Sequence, residues 1–379
     1  MFKFIAGKYL RTVIYVVFSF LLGCMVTINL TPIEKTCTID NVDVGYNIMQ
    51  NSKLKNPELV ILILSATNNL GKRDTIRETW LKLHRETYDN SKFKIAHYFV
   101  IGSLGLTADQ LLHLSSEQST YNDILILPVH DTYKTLTEKI KKSFIWLNDQ
   151  LDYGLGFKYI LKCDDDSFIN LSYLPQEIIN IEKNYISSDI TYPFQPTSER
   201  GNRYLSSNAQ VNNKKLKGHH LSLYWGYFSG NAKIKTTGKW AETDWIASDR
   251  YIPYALGGGY VLSKNLVTYI AKNANNLRSF NSEDISVGFW LAPVNNVLRV
   301  HDIRFDTEWV SRGCRNNSLV IHNISQREMR ELYNHYISQK TLCSEEVVRR
   351  NYYIYNWSVP PSQCCKPSDQ IKLSKNTST

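Results

Sequence analysis

Three consecutive carboxylates, Asp164, Asp165 and Asp166, close the stretch Tyr159-Ile-Leu-Lys-Cys163. In an extended segment alternate side chains share a side, so Asp164 and Asp166 can address one ion while Asp165 points away. Hard oxygen ligands of this kind suit Mn²⁺ or Mg²⁺, which bind through one or two carboxylates and leave substrate phosphates to complete the shell. A bare acidic triplet also occurs as a solvated turn or a helix start. Three neighbouring carboxylates repel one another, however, and a divalent cation relieves that repulsion.

Other residues carry complementary chemistry. Arg73 and Arg77, four apart on a helical pattern, can hold a phosphate or a base together, or pair locally with Asp74 and Glu78. Glu283 and Asp284 lie between Ser282 and an apolar stretch containing Trp290, and in isolation they read as a helix start. Gly257, Gly258 and Gly259 either let the backbone approach a bulky ligand or form a bulge or turn. Trp225, Trp240, Trp245 and Trp290 offer flat faces for sugar rings, or fill the core.

The elements that must position these groups alternate. Aliphatic runs at residues 59–64, 95–101, 124–127 and 159–161 read as strands. Between them, Ile76, Trp80 and Leu83 share one helical face, and Leu136, Ile140, Phe144 and Leu147 share another behind a Thr135/Glu138 capping box. This order predicts an α/β fold, a doubly wound and largely parallel sheet covered on both sides. Its ligands should gather at the carboxyl ends of the strands, where the acidic triplet stands.

Composition narrows the class. A chain of 379 residues with 43% hydrophobic content can hold one large α/β domain plus accessory segments, and is neither disordered nor fibrous. The net charge of +9 comes without a nucleic-acid signature, and a basic groove for phosphates or an anionic glycan accounts for it equally well. The densest basic run, Lys214, Lys215, Lys217, His219 and His220, lies in the polar stretch 191–221 and reads as a solvated loop. Residues 13–30 form an uncharged apolar run that would span roughly 27 Å as a helix, preceded by Lys3, Lys8 and Arg11. That pattern predicts an uncleaved signal anchor in the type II orientation, with residues 1–12 cytoplasmic, against the alternative of a cleaved signal peptide. Residues 31–56 read as a stem, 57–365 as the catalytic domain and 366–379 as a tail.

Seven cysteines show no metal-ligand spacing, and the late group Cys314, Cys343, Cys364 and Cys365 predicts two disulfides in an oxidising compartment. Adjacent Cys364 and Cys365 are expected to take separate partners more easily than each other. Asn-x-Ser/Thr sites at Asn29, Asn170, Asn316, Asn323, Asn356 and Asn376 are compatible with lumenal exposure.

Taken in order, Arg73-Asp-Thr-Ile-Arg-Glu-Thr-Trp80, Lys162-Cys-Asp-Asp-Asp-Ser-Phe168, Tyr251-Ile-Pro-Tyr-Ala-Leu-Gly-Gly-Gly-Tyr-Val-Leu-Ser263 and Glu283-Asp-Ile-Ser-Val-Gly288 resemble the β1,3-glycosyltransferase family of the animal Golgi over residues 57–365. Leu223-Tyr-Trp-Gly-Tyr-Phe-Ser-Gly230, Arg304-Phe-Asp-Thr-Glu308 and Trp357-Ser-Val-Pro-Pro-Ser-Gln-Cys-Cys365 resemble its branch that builds the proteoglycan linkage region. The chain departs from the family pattern at Cys163, where a small residue is common, and in the long 191–221 segment.

The resemblance implies a GT-A type fold, UDP-galactose as donor, Mn²⁺ or Mg²⁺ as cofactor and galactose-β1,4-xylose on a proteoglycan serine as acceptor. It also implies a Golgi membrane location and an inverting β1,3 transfer. Carried onto this sequence, it makes Asp284 the base with Glu283 beside it. The metal ligands become Asp164, Asp166 and His322, with His301 the rival histidine. Arg73 and Arg77, and then Asp131 and Lys139, would bind UDP, with Asp165, Gly258, Gly259 and Trp225 around the donor.

Overall fold

The computed structural model describes residues 15–23, 25, 56–87, 93–154, 156–186 and 221–365. The expected anchor and stem lie partly outside these residues, and the 366–379 tail and nearly all of the 191–221 segment lie outside them. Residues 15–23 are helical, and no helix among the described residues is long and apolar enough to cross a membrane. The chain divides into two compact units, residues 1–43 and 44–379, and the second carries every element below.

In chain order these are β1 (Leu59–Leu64), α1 (Leu70–Glu78), α2 (Trp80–Thr87), β2 (Ile95–Gly102), α3 (Ala108–Tyr121), β3 (Ile124–Leu127), α4 (Leu136–Asp152), β4 (Tyr159–Asp164), β5 (Phe168–Ile169) and α5 (Leu174–Ile181). There follow β6 (Ser222–Ser229), β7 (Tyr254–Ser263), α6 (Lys264–Lys272), α7 (Glu283–Leu291), β8 (Val297–His301), β9 (Phe305–Asp306), β10 (Gly313–Cys314), β11 (Val320–Ile321), α8 (Gln326–Gln339) and β12 (Val347–Val348).

Seven strands form the main sheet in the order β3-β2-β1-β4-β7-β6-β8. Neighbours run parallel except where β7 meets β4 and β6. The aliphatic run of β1 is wholly buried because the sheet is covered on both faces. Its alternate residues serve two cores: Leu59, Ile61 and Ile63 pack with Trp80 and Phe168, whereas Val60, Leu62 and Leu64 pack with Ile140 and Phe144. Each such side chain contributes roughly 1.5–3 kcal/mol of transfer free energy.

Two local expectations need correction. The face Ile76, Trp80 and Leu83 is buried as expected, but it spans two helices, because Thr79 (φ −114°, ψ −109°) breaks the run between α1 and α2. Thr135 does not cap α4 with Glu138; its hydroxyl donates instead to the carbonyls of His130 (2.5 Å) and Thr132 (3.0 Å).

Cys314 and Cys343 form a disulfide, and Cys364 joins Cys365, against the expectation of separate partners. With Cys314 and Cys343 consumed by each other and Cys163 enclosed in the core, the described residues offer the adjacent pair no other thiol. Asn170 is fully buried with its amide donating to the Ser318 carbonyl (3.2 Å), which withdraws that sequon from the surface.

The sheet also fixes where a ligand can sit. From β1 the chain proceeds to β2 and β3 on one side, and β4 is laid on the other, with Leu64 in register beside Asp164. The carboxyl ends of β1 and β4 therefore flank the point where strand order reverses, which leaves a crevice.

Candidate active site

A cavity of about 660 Å³ opens at that reversal point. Asp164 is the last residue of β4, and Asp166 follows on the same side. His322 leaves β11, which pairs with β5 and β9, and its Nε2 lies 3.5 Å from Asp164 Oδ2 and 3.4 Å from Asp166 Oδ1. Backbone bonds set that register: His322 N–H donates to the Asp306 carbonyl (3.0 Å) and Ile324 N–H to the Asp166 carbonyl (3.1 Å). Gly258 is required here, because a Cβ on it would stand 2.5 Å from His322 Cγ. Asp165 turns away, accepting from Ser65 Oγ (2.9 Å), Asn69 Nδ2 (2.7 Å) and Lys72 Nζ (2.8 Å).

Asp164, Asp166 and His322 each aim one ligand atom at a common point, all within 4.8 Å of one another. Asp166 Oδ1 and His322 Nδ1 are buried without hydrogen-bond partners. Burial disfavours charge on His322, but the two carboxylates facing its Nε2 outweigh this and lift its pKa to about 9. For Asp164 burial acts upward, while the Lys162 ammonium and His322 hold it below the usual carboxylate range. Two carboxylates and an imidazole around one point, with a buried oxygen lacking a donor, form a donor set that fits a divalent cation. His301 is remote from this chemistry: it is buried, its Nδ1 accepts from Phe228 N–H (3.1 Å), and burial drops its pKa to about 4.

Glu283 and Asp284 occupy the first turn of α7, so the helix-start reading and a place at the site hold together. Asp284 lines the cavity, with Oδ2 accepting from Gly257 N–H (2.9 Å) and Oδ1 from Ile285 N–H (2.9 Å). Burial raises its pKa. Glu283 is more enclosed; it accepts from Tyr260 Oη (3.0 Å) and from Lys162 Nζ. Burial pushes its pKa to about 7 despite the Lys162 charge.

Lys162 itself is a residue that sequence reasoning missed. Its buried ammonium also meets the Gly257 carbonyl (2.5 Å) and Asp164 Oδ1 (2.9 Å), joining the Asp164/Asp166/His322 cluster to the Glu283/Asp284 turn. The signal lay in its place two residues before Asp164, on the same side of the strand.

Four other residues singled out in the sequence do not line the cavity. Arg73 is buried in a bidentate pair with Glu117 (2.8 and 2.6 Å) and donates to the Ala66 carbonyl (2.5 Å). Arg77 is spent on Asp74, Glu117 and Asp123, beneath the rings of Phe99 and Tyr121. Neither arginine lines the cavity, because α3 and the segment into β3 present carboxylates behind α1. Trp225 is a fully buried core residue whose indole donates to Asp302 (3.1 Å) and packs on Phe305, and Gly259 faces Val320.

Asp131, Lys139, Asp165 and Gly258 do border the cavity, with Lys139 Nζ shared between Asp131 Oδ1 and the Ser65 carbonyl at 2.5 Å each. Of the four tryptophans singled out, Trp240 alone reaches the cavity; Trp309, Tyr133, Lys239 and Lys72 join it unforeseen.

The Galactosyltransferase family model matches residues 71–301. Beta-1,3-galactosyltransferase 6 of Mus musculus is 37% identical over 314 residues, 83% of this chain and 84% of that protein. Hydroxyproline O-galactosyltransferase GALT5 of Arabidopsis thaliana is 28% identical over 72% of this chain but only 34% of its own length. UDP-GalNAc:beta-1,3-N-acetylgalactosaminyltransferase 2 of Danio rerio is 27% identical over 61% of this chain and 38% of its own. The mixed, mostly parallel sheet with helices on both faces is a GT-A-like α/β fold, and the chain belongs to the β1,3-galactosyltransferase family as a galactosyltransferase.

Proposed function

We propose that this galactosyltransferase moves galactose from UDP-galactose onto the galactose-β1,4-xylose of a proteoglycan serine, forming a β1,3 bond with inversion. The observation that carries the reading is the convergence of Asp164, Asp166 and His322 in the same cavity as Asp284. The likeness to the mouse β1,3-galactosyltransferase supports the donor and the linkage, and the resemblance of Leu223–Gly230 and Arg304–Glu308 to the linkage-region branch supports the acceptor.

Asp284 takes the proton of the acceptor 3-hydroxyl as that oxygen bonds to the anomeric carbon and the bond to the diphosphate breaks. General-base assistance of this kind contributes about 10² to 10⁴ in rate. The two N–H donors on Asp284, from Gly257 and Ile285, fix its carboxylate toward the cavity. Lys162 keeps Glu283 packed beside it and holds Asp164 from behind. Lys72, 2.8 Å from Asp165 and 3.9 Å from Asp166, brings further positive charge to the side of the crevice where a diphosphate would lie. A divalent cation on Asp164, Asp166 and His322, Mn²⁺ or Mg²⁺, would neutralise the charge that develops on the departing diphosphate without proton transfer. The apolar run 13–30, behind three cationic residues, supports a type II anchor with the catalytic unit in the Golgi lumen.

The test is transfer by the detergent-solubilised full-length chain from UDP-galactose to a galactosyl-xyloside. Activity is expected with Mn²⁺ and lost in EDTA. Preference for UDP-N-acetylglucosamine, or full activity of Asp284→Asn, overturns the reading.

A further inference from the structure

Away from the carboxylates, the cavity wall is aromatic. Trp309 is 65% exposed, Tyr133 54% exposed, and Trp240 half-buried, and all three line the cavity that Asp284 enters. They come from three separate stretches of chain. Tyr133 meets Trp240 edge to face with ring centroids 5.2 Å apart. Lys239 Nζ stands among the rings, 4.0 Å from the centroid of Tyr133, 5.1 Å from Trp240 and 5.2 Å from Trp309. Large rings left in water at a cavity mouth mark a ligand surface.

The backbone beneath Trp309 is fixed. Asn323 Nδ2 donates to the Trp309 carbonyl (2.8 Å), and Arg350 Nη1 donates to the Val310 carbonyl (2.9 Å). Asn323 directly follows His322, so the segment leaving β11 that places the histidine also holds the backbone at Trp309. A platform held in place before its ligand arrives loses less entropy on binding.

We infer that Tyr133, Trp240 and Trp309, with Lys239 between them, hold the sugar on the reducing side of the reacting galactose, so that the site reads a disaccharide. This rests on the proposed transferase function and identifies where its acceptor lies. The C–H face of a pyranose stacks on the rings, and the Lys239 ammonium donates to ring hydroxyls. The reacting galactose then extends toward Asp284. The competing occupant of such a wall is the nucleotide base, and the kinetics separate the two.

Full-length wild type, Trp309→Ala, Trp240→Ala and Trp309→Phe are compared on methyl galactosyl-xyloside and methyl galactoside, with KM for UDP-galactose measured in parallel. The alanine variants should raise KM for the disaccharide by about 2- to 12-fold. KM for the galactoside and for UDP-galactose should stay within twofold, and Trp309→Phe should recover the disaccharide value. A rise in donor KM assigns the rings to the nucleotide and overturns the inference. An equal rise on both acceptors, or none, also overturns it. A wild type that transfers to neither acceptor removes the transferase reading itself, whereas a wild type that transfers while its variants keep the same acceptor ratio removes the platform alone.

Discussion

Two clusters of buried charge flank the start of the sheet, and they are built on opposite plans. In the first, Arg73 and Arg77 face Glu117 and Asp123, with Asp74 at the rim; both guanidinium groups are engaged and neither lines the site cavity. In the second, Asp164, Asp166, Glu283 and Asp284 outnumber the cations Lys162 and Lys72, and a carboxylate oxygen and an imidazole nitrogen lack partners. Balanced charge, once buried, closes on itself and serves the fold, since removing one partner leaves an uncompensated ion. Unbalanced charge at a cavity wall stores an affinity for something that arrives with the opposite sign.

Breaking each cluster should therefore give opposite signatures. The largest kinetic loss is expected for Asp284→Asn, about 10²- to 10⁴-fold in kcat, with thermal unfolding little changed. Unaltered turnover would place the base elsewhere. Next, Arg73→Ala should cost about 3 kcal/mol of stability, the low end for a broken buried pair because Arg77 still faces Glu117 (2.7 Å), measured by denaturant unfolding. KM for UDP-galactose should stay unchanged in that variant, and a large rise in it with normal stability would return Arg73 to the donor site.

Asp166→Ala should lower turnover on the order of 10²-fold and weaken Mn²⁺ binding in calorimetry. The pH dependence is smaller and has a definite sign. Because the His322 pKa stands at about 9 when the aspartates alone face it, a cation must displace its proton, so Mn²⁺ affinity should rise from pH 6 to pH 8.5, by at most tenfold per unit. The same raised pKa makes the metal-free chain's His322 contribution to stability complete below about 6.5 and lost as pH climbs through 9. Calorimetric titrations at three pH values check the slope, and a flat profile would remove His322 from the ligand set.

Much was legible in the chain itself, for reasons that are local. An unbroken aliphatic run as short as 59–64 reads as a strand buried on both faces, and alternation of such runs with helical patterns predicts a largely parallel sheet with a binding edge. The acidic triplet announced its position because it begins on the last residue of β4, and period-two geometry alone separates Asp164 and Asp166 from Asp165. What sequence could not supply was partnership across long separations. Glu117 lies 44 residues from Arg73, and only the packing of α3 shows that it consumes that arginine. Lys162 reaches across 121 residues to Glu283, and Trp309 joins Trp240 and Tyr133 only because three loops converge. Residue type fixes which charges and rings exist, but whether each is satisfied or left facing a cavity depends on which distant segment folding brings against it.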